Sequence, residues 1–110
     1  MLNKQLLIGN LGNDPQMHSF ENGDKVATFS VATKEVFYNK EGKRVQQTDW
    51  HSVKCFKKLA EHVETYLKKG AKVFIEGKSI TEQWEDKKGV KRYSNVVIAD
   101  QVLFLDSKKD

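Results

Sequence analysis

The chain has 110 residues, of which 38% are apolar and 31% are charged. This length suits one domain with a modest core, and the composition excludes a disordered chain or a membrane-spanning one. The net charge of +4 is concentrated in two blocks, residues 34–58 and 68–92, each with a surplus of four positive charges. Such clustering is typical of a protein that binds a polyanion, although solvated lysine-rich hairpins explain it equally well.

Strands are predicted throughout the first half of the chain. A short apolar strand over residues 6–8 ends at two glycines and the turn at residues 13–15. Alternation of apolar and polar residues predicts a second strand from Lys25 to about Phe37. A polar loop separates it from a third strand at residues 45–56.

In the second half of the chain, the spacing of apolar residues changes from that of a strand to that of a helix. Residues 57–69 read as a helix that ends before Gly70. Its inward side is predicted to consist of Leu59, Ala60, Val63, Tyr66 and Leu67. Strands at residues 73–84 and 92–105 complete the chain.

This order predicts an all-β protein, a five-stranded OB-fold with Greek-key topology and one α-helix between strands three and four. SH3-like barrels are an alternative, but they rarely place a long helix at that point. We expect one domain over residues 1–105 and a short disordered end at 106–110. The single Cys55 and the absence of a recognisable secretory signal indicate a cytoplasmic protein with no membrane partner.

The third strand has two different faces. Alternation puts Val53 and Cys55 on an apolar face, and it puts Trp50, Lys54 and Phe56 on the other. A core would not accept a lysine, so the two aromatics are predicted to lie at the surface. Exposed aromatics beside a cation suit single-stranded nucleic acid, because every base can stack and every phosphate attracts positive charge.

The fourth strand ends in a similar arrangement, with Trp84 next to the basic loop at residues 87–92. Packing of this tryptophan on a neighbouring strand or a partner subunit is the alternative. Two tryptophans on charged faces favour binding.

Other chemistry is not indicated. The three histidines have no companions at metal-ligand spacing, and no catalytic constellation or phosphate-binding loop is found. We expect no metal, no cofactor and no enzymatic activity.

The chain also resembles the bacterial single-stranded DNA-binding protein family from Asn3 to about Leu105. The motifs that carry the resemblance are Leu7-Ile8-Gly9-Asn10-Leu11-Gly12, Asp14-Pro15, Thr48-Asp49-Trp50-His51, Leu59-Ala60-Glu61, Tyr66-Leu67-Lys68-Lys69-Gly70 and Ile75-Glu76-Gly77. The resemblance implies sequence-independent binding and protection of single-stranded DNA in replication, recombination and repair. It also implies association with the nucleoid and a homotetramer, with a dimer as the alternative.

Particular residues follow from the resemblance. It implies base-stacking aromatics at Phe37, Trp50, Phe56 and Trp84. It implies phosphate-binding lysines at Lys40, Lys58 and Lys69, to which the strand pattern adds Lys54. His51 resembles a subunit-interface residue. Strict alternation turns Phe37 inward with Phe29, unless a bulge or bend resets its facing.

The chain departs from the family at two basic positions, where it has Ser52 and, before Trp84, Glu82-Gln83. Fewer neutralised phosphates predict weaker binding and a shallower salt dependence. The sequence stops at Asp110 without the family's linker and acidic tail, either because it is truncated or because it is a naturally short form, so recruitment of replication and repair proteins through that tail stays open. An interaction protein of the primosome type on the same fold therefore remains the alternative function.

Overall fold

Six strands and one helix follow one another in residues 1–106, the part of the chain that the computed structural model describes. The elements are β1 (Gln5–Leu11), β2 (Gln16–Ser19), β3 (Lys25–Tyr38), β4 (Arg44–Phe56), α1 (Lys57–Tyr66), β5 (Lys72–Glu85) and β6 (Lys91–Phe104). The predicted end at residues 106–110 lies, from residue 107 on, outside the described residues, so the domain boundary at residue 105 stays a prediction.

Five of the strands close into a barrel in the order β1-β5-β6-β4-β3, and β1 then pairs with β3. This confirms the predicted five-stranded OB-fold. The β4–β6 pair is parallel and the others are antiparallel. The barrel closes where β1 meets β3 at Asn10 and Leu11. Gly9 lies inside β1, and a Cβ there would collide with the Ala32 carbonyl oxygen. The prediction that this glycine helps to end the strand was therefore wrong, because its role is to let β3 approach.

The barrel interior is filled by side chains of one parity from each strand. Phe29, Val31, Val53, Cys55 and Ile75 are all at most 2% exposed. The α1 helix adds Ala60 and Val63 to the same cluster. No polar or charged residue is buried in the described part of the chain. The core is therefore apolar, and polar chemistry is confined to the outside.

The helix is shorter than predicted. It ends at Tyr66 rather than at residue 69, because Leu67 donates its N–H to the Val63 carbonyl and then turns to an extended backbone. Lys69 N–H donates to Asp14 Oδ1 (2.8 Å) and Gly70 N–H donates to the Leu11 carbonyl (2.8 Å). Tyr66, predicted to face inward, is exposed. Within residues 1–106, no helix is long and apolar enough to cross a membrane.

The short strand β2 was not predicted. It pairs with the start of β3 from Gln16↔Thr28 to Ser19↔Lys25. Its four residues show no clean alternation of burial. β2 thus depends on the edge of β3 rather than on its own sequence pattern.

Two hairpins extend beyond the barrel, and we call them the β3–β4 arm (residues 33–50) and the β5–β6 arm (residues 80–95). Most of their residues are exposed. They contain most of the basic residues of the two charge blocks. Each arm ends in a turn with a glycine at positive φ, Gly42 at 76° and Gly89 at 80°. Only glycine adopts this conformation readily, so it fixes both turns.

Candidate nucleic-acid interface

One outer face of the sheet contains half of the predicted site residues, including three of the four predicted aromatics. Paired residues on neighbouring strands share a face, and the register pairs Trp50 with Ala32, Lys54 with Ile98, and Trp84 with Arg92. By this register, Trp50, Lys54, Phe56 and Trp84 lie on the same outer face of the sheet formed by β3, β4, β6 and β5. The three aromatics are 63%, 40% and 49% exposed. Their predicted position at the surface is confirmed.

Trp50 rests on the backbone of the loop after β1. A Cβ on Gly12 would collide with Cζ3 of the indole ring, so only glycine leaves room for the ring there. The loop itself is fixed, because Asn13 Oδ1 accepts hydrogen bonds from the Ser30 N–H (3.0 Å) and the Ser30 hydroxyl (2.7 Å). Trp50 therefore has one supported side and a large exposed surface. This arrangement suits stacking of a base on the free side.

Phe56 stands at the junction of β4 and α1, in an open groove of about 540 Å³. Lys57 follows it with φ at 59°, a left-handed conformation that is uncommon for a residue with a side chain. This turn starts the helix at once and brings Lys58 to the same groove as Phe56. The structure therefore puts a predicted stacking residue and a predicted phosphate-binding residue side by side.

Lys54 is not a free cation. Its Nζ lies 2.7 Å from one carboxylate oxygen of Glu82 and 3.0 Å from the other. The two side chains reach each other across β6 and pass over Val96, which pairs with β4 on one side and β5 on the other. Val96 is only 4% exposed, although it does not belong to the barrel core. The sequence indicated Glu82 as a departure from the family, but not that it would partner Lys54.

Trp84 lies on the β5–β6 arm. Arg92, its pairing partner, donates from Nε to Asp86 Oδ2 (3.2 Å). The Asp86 carboxylate also accepts from the backbone amides of Val90 (3.0 Å) and Lys88 (2.9 Å). These hydrogen bonds, that of Val90 first, lower the pKa of Asp86 below its ordinary value. The tryptophan therefore stands on a hairpin whose turn is held by an ionised carboxylate.

Phe37 is exposed, and the inward position that strict alternation predicted for it was wrong. The reason is not a bulge, because the β3–β4 register is continuous from Val26↔Phe56 to Tyr38↔Arg44. This part of the arm has left the barrel, so both of its faces meet solvent. The register puts Phe37 on the face opposite Trp50.

The neighbouring Tyr38 shares the face of Trp50 and is 71% exposed. Sequence reasoning missed it. Its even spacing from Ala32, the partner of Trp50, is the signal that could have found it.

The remaining predicted lysines are exposed but lie apart. Lys40 is at the tip of the β3–β4 arm, in the turn that Asn39 closes by accepting from the amides of Glu41 and Lys43. Lys69 follows the helix, and its backbone is tied to Asp14 in the loop that supports Trp50. The structure thus brings Lys58 next to an aromatic and leaves Lys40 and Lys69 at the margins.

His51 and Cys55 belong to the barrel-facing side of β4. His51 is half-buried, and its Nε2 lies 2.9 Å from Thr33 Oγ1 in a hydrogen bond. Its role at a subunit interface stays a prediction.

Burial raises the pKa of the Cys55 thiol to about 11, so it remains protonated at neutral pH. In residues 1–106, no cluster of three or more His, Cys, Asp or Glu side chains could hold a metal ion.

Comparisons with known proteins agree with this geometry. Residues 2–105 match the model of the single-strand binding protein family. The chain is 38% identical over 109 residues to the single-stranded DNA-binding proteins of two strains of Neisseria meningitidis, one of serogroup A and one of serogroup B. The match covers 99% of this chain and 63% of those proteins, so the chain spans less than two thirds of their length.

Two solved structures share the fold. The structure of Plasmodium falciparum SSB in complex with ssDNA superimposes with a TM-score of 0.90 at 32% identity and covers 96% of both chains. A deletion mutant of the single-stranded DNA binding protein from Thermus aquaticus gives a TM-score of 0.84 at 28% identity, covering 97% of this chain and 52% of that one. The family model extends over nearly the whole sequence, and the barrel matches structures of the same name. The chain therefore belongs to the single-strand binding protein family.

Proposed function

We propose that the protein binds single-stranded DNA without regard to sequence, by stacking bases on exposed aromatics and by contacting phosphates with lysines. The observation that carries this proposal is the shared face of Trp50, Phe56 and Trp84, each at least 40% exposed. Several exposed aromatic rings on one face form the kind of patch that marks a binding surface. The family and the ssDNA-bound relative support the same assignment.

The sequence independence follows from the groups on this face. Aromatic rings stack on any base, and each stacked base contributes about 1–3 kcal/mol. Lysine side chains contact phosphates, which are the same at every nucleotide. Such a protein would cover and protect single strands during replication, recombination and repair, in the cytoplasm and on the nucleoid. We propose no catalytic role for it.

Titration with oligo-dT tests the proposal. Binding should quench the fluorescence of Trp50 and Trp84, and the affinity should fall as salt rises. Trp50→Ala should weaken binding by the value of one stacked base, about 1–3 kcal/mol, for oligo-dT and mixed sequences alike. Absence of quenching by the unmodified protein at low salt would contradict the proposal.

We further propose that the protein assembles with itself into a homotetramer, with a dimer as the alternative. An apolar row crosses the outside of the barrel, because Ile8 pairs with Phe74 and Phe74 pairs with Leu103. Ile8 is 57% exposed and Leu103 is 45% exposed. This apolar row is separate from the aromatics proposed to bind DNA. A second copy of the chain could therefore cover it without blocking the DNA face.

A further inference from the structure

The ion pair of Lys54 and Glu82 occupies the middle of the proposed DNA face. Lys54 lies on β4 between Trp50 and Phe56, and Glu82 lies two residues before Trp84 on β5. Both oxygens of the carboxylate are within 3.0 Å of the ammonium group. The pair therefore stands among all three aromatics.

We propose that Glu82 sets the affinity and the salt dependence of this face by holding Lys54 away from DNA phosphates. The inference rests on the proposed function. A lysine that is already paired with a carboxylate brings no net charge to a phosphate and releases no further counterion when DNA binds. Each phosphate neutralised on a single strand steepens the dependence of log affinity on log salt by about 0.7. The pair therefore removes about one phosphate contact from the interface.

Removal of the ion pair should leave the fold intact. About a third of each side chain is exposed, 31% for Lys54 and 35% for Glu82. Ion pairs with this much solvent contact contribute little to folding. Glu82→Gln keeps the shape of the side chain and removes only its charge.

The same strand offers a matched control. Glu76 forms an ion pair with Lys4 (3.5 Å) on β5, six residues before Glu82 and about 20 Å along the strand. Glu76→Gln changes the net charge by the same amount and breaks an ion pair of the same type. It lies beside Leu6 of β1 rather than among the aromatics.

The experiment measures oligo-dT binding by tryptophan quenching at several salt concentrations. Glu82→Gln should bind about 5- to 10-fold tighter at about 50 mM salt and should steepen the log–log salt slope by about 0.7, which is the effect of one more phosphate contact. Glu76→Gln should stay close to the unmodified protein. Equal changes in the two variants, or no change in Glu82→Gln while the unmodified protein binds, would overturn the inference.

A second substitution assigns the effect to Lys54. Lys54→Met should flatten the salt slope by about 0.7 when residue 82 is glutamine, which returns the slope to that of the unmodified protein. A slope that stays steep in the double variant would mean that Lys54 does not make the added phosphate contact. If the unmodified protein does not bind oligo-dT at all, the proposed function fails, and that result is distinct from failure of this inference.

Discussion

The indole of Trp50 owes its place to a residue 38 positions earlier in the chain. Gly12 offers a flat stretch of backbone, and any side chain at that position would occupy the volume of the ring. We predict that Gly12→Ala displaces the ring, shifts the Trp50 emission and weakens oligo-dT binding about as much as Trp50→Ala, by about 1–3 kcal/mol. The measurement is emission and titration in a Trp84→Phe background, where only Trp50 reports.

Gly23→Ala provides the control for Gly12→Ala. Gly23 has a positive φ of 91° and open space around it, so alanine there strains the backbone without touching the indole. It should lower stability and leave the Trp50 emission unchanged. An identical emission shift in both variants would mean that the Gly12 effect is only a general loss of stability.

Cys55 should make the protein sensitive to alkali. Its thiol has a pKa of about 11 in the folded protein, raised by burial from an ordinary value of 9.0. Because the pKa is raised in the folded state, the thiol of the unfolded chain ionises first as the pH rises. The contribution of Cys55 to the free energy of unfolding is therefore complete below about pH 9 and is lost between about pH 9 and 11. Urea unfolding across this range should show a steeper loss for the unmodified protein than for Cys55→Ala. Parallel curves would contradict the prediction.

Residue positions were predictable where a strand has one face in the core. The alternation of Val53 and Cys55 with Trp50 and Phe56 was enough, because the barrel-facing side of β4 has small apolar residues and its aromatics lie on the other side. The same reasoning failed at Phe37, since beyond Thr33 the strand has solvent on both faces and alternation no longer reports burial. The contact of Lys54 with Glu82 was not predictable, because it depends on β6 lying between their strands.

At the scale of elements, the turns of the two arms have the same hydrogen-bonding pattern, but a side-chain amide closes one and a carboxylate closes the other. Asn39 and Asp86 each close a turn by accepting two backbone amides. The amide side chain of Asn39 does not titrate, whereas the carboxylate of Asp86 does. The β5–β6 arm should therefore be sensitive to acid, and the β3–β4 arm should not.

Hydrogen exchange tests this difference. The pKa of Asp86 is lowered in the folded protein, so its contribution is present above about pH 4, the value of an unfolded aspartate, and is lost as the pH falls through the folded-state pKa. The protection factor of the Val90 amide should fall in this range. The protection factor of the Lys43 amide should stay constant, because its exchange rate changes only as the intrinsic rate does. Asp86→Asn should remove the difference between the two turns.

Element boundaries were less predictable than element types. The helical period continues to Leu67, but the helix ends at Tyr66 and the Lys69 and Gly70 amides bond to Asp14 and to Leu11, the last residue of β1. Those acceptors are distant in sequence. The strand β2 was missed for the same reason, since its partner on β3 and not its own pattern makes it a strand.

At the scale of the whole molecule, the apolar row of Ile8, Phe74 and Leu103 should control assembly. We predict that Ile8→Glu shifts the protein to a smaller oligomer or a monomer in light scattering, because a charge replaces buried apolar surface at the interface. Val90→Glu is the matched control, since Val90 is 48% exposed at the tip of the β5–β6 arm. A monomeric unmodified protein, or an unchanged mass for Ile8→Glu, would contradict this assignment.

The opposite facing of Trp50 and Phe37 on the β3–β4 arm has a mechanical consequence. A single DNA strand that stacks on both rings must turn around the edge of the β3–β4 arm, whose two β-strands are about 5 Å apart. Single-stranded DNA is flexible enough to make this turn. Duplex DNA has a persistence length of about 50 nm and cannot bend within such a distance. The β3–β4 arm would therefore discriminate against duplex DNA because the duplex is stiff. No group that recognises unpaired bases would be needed.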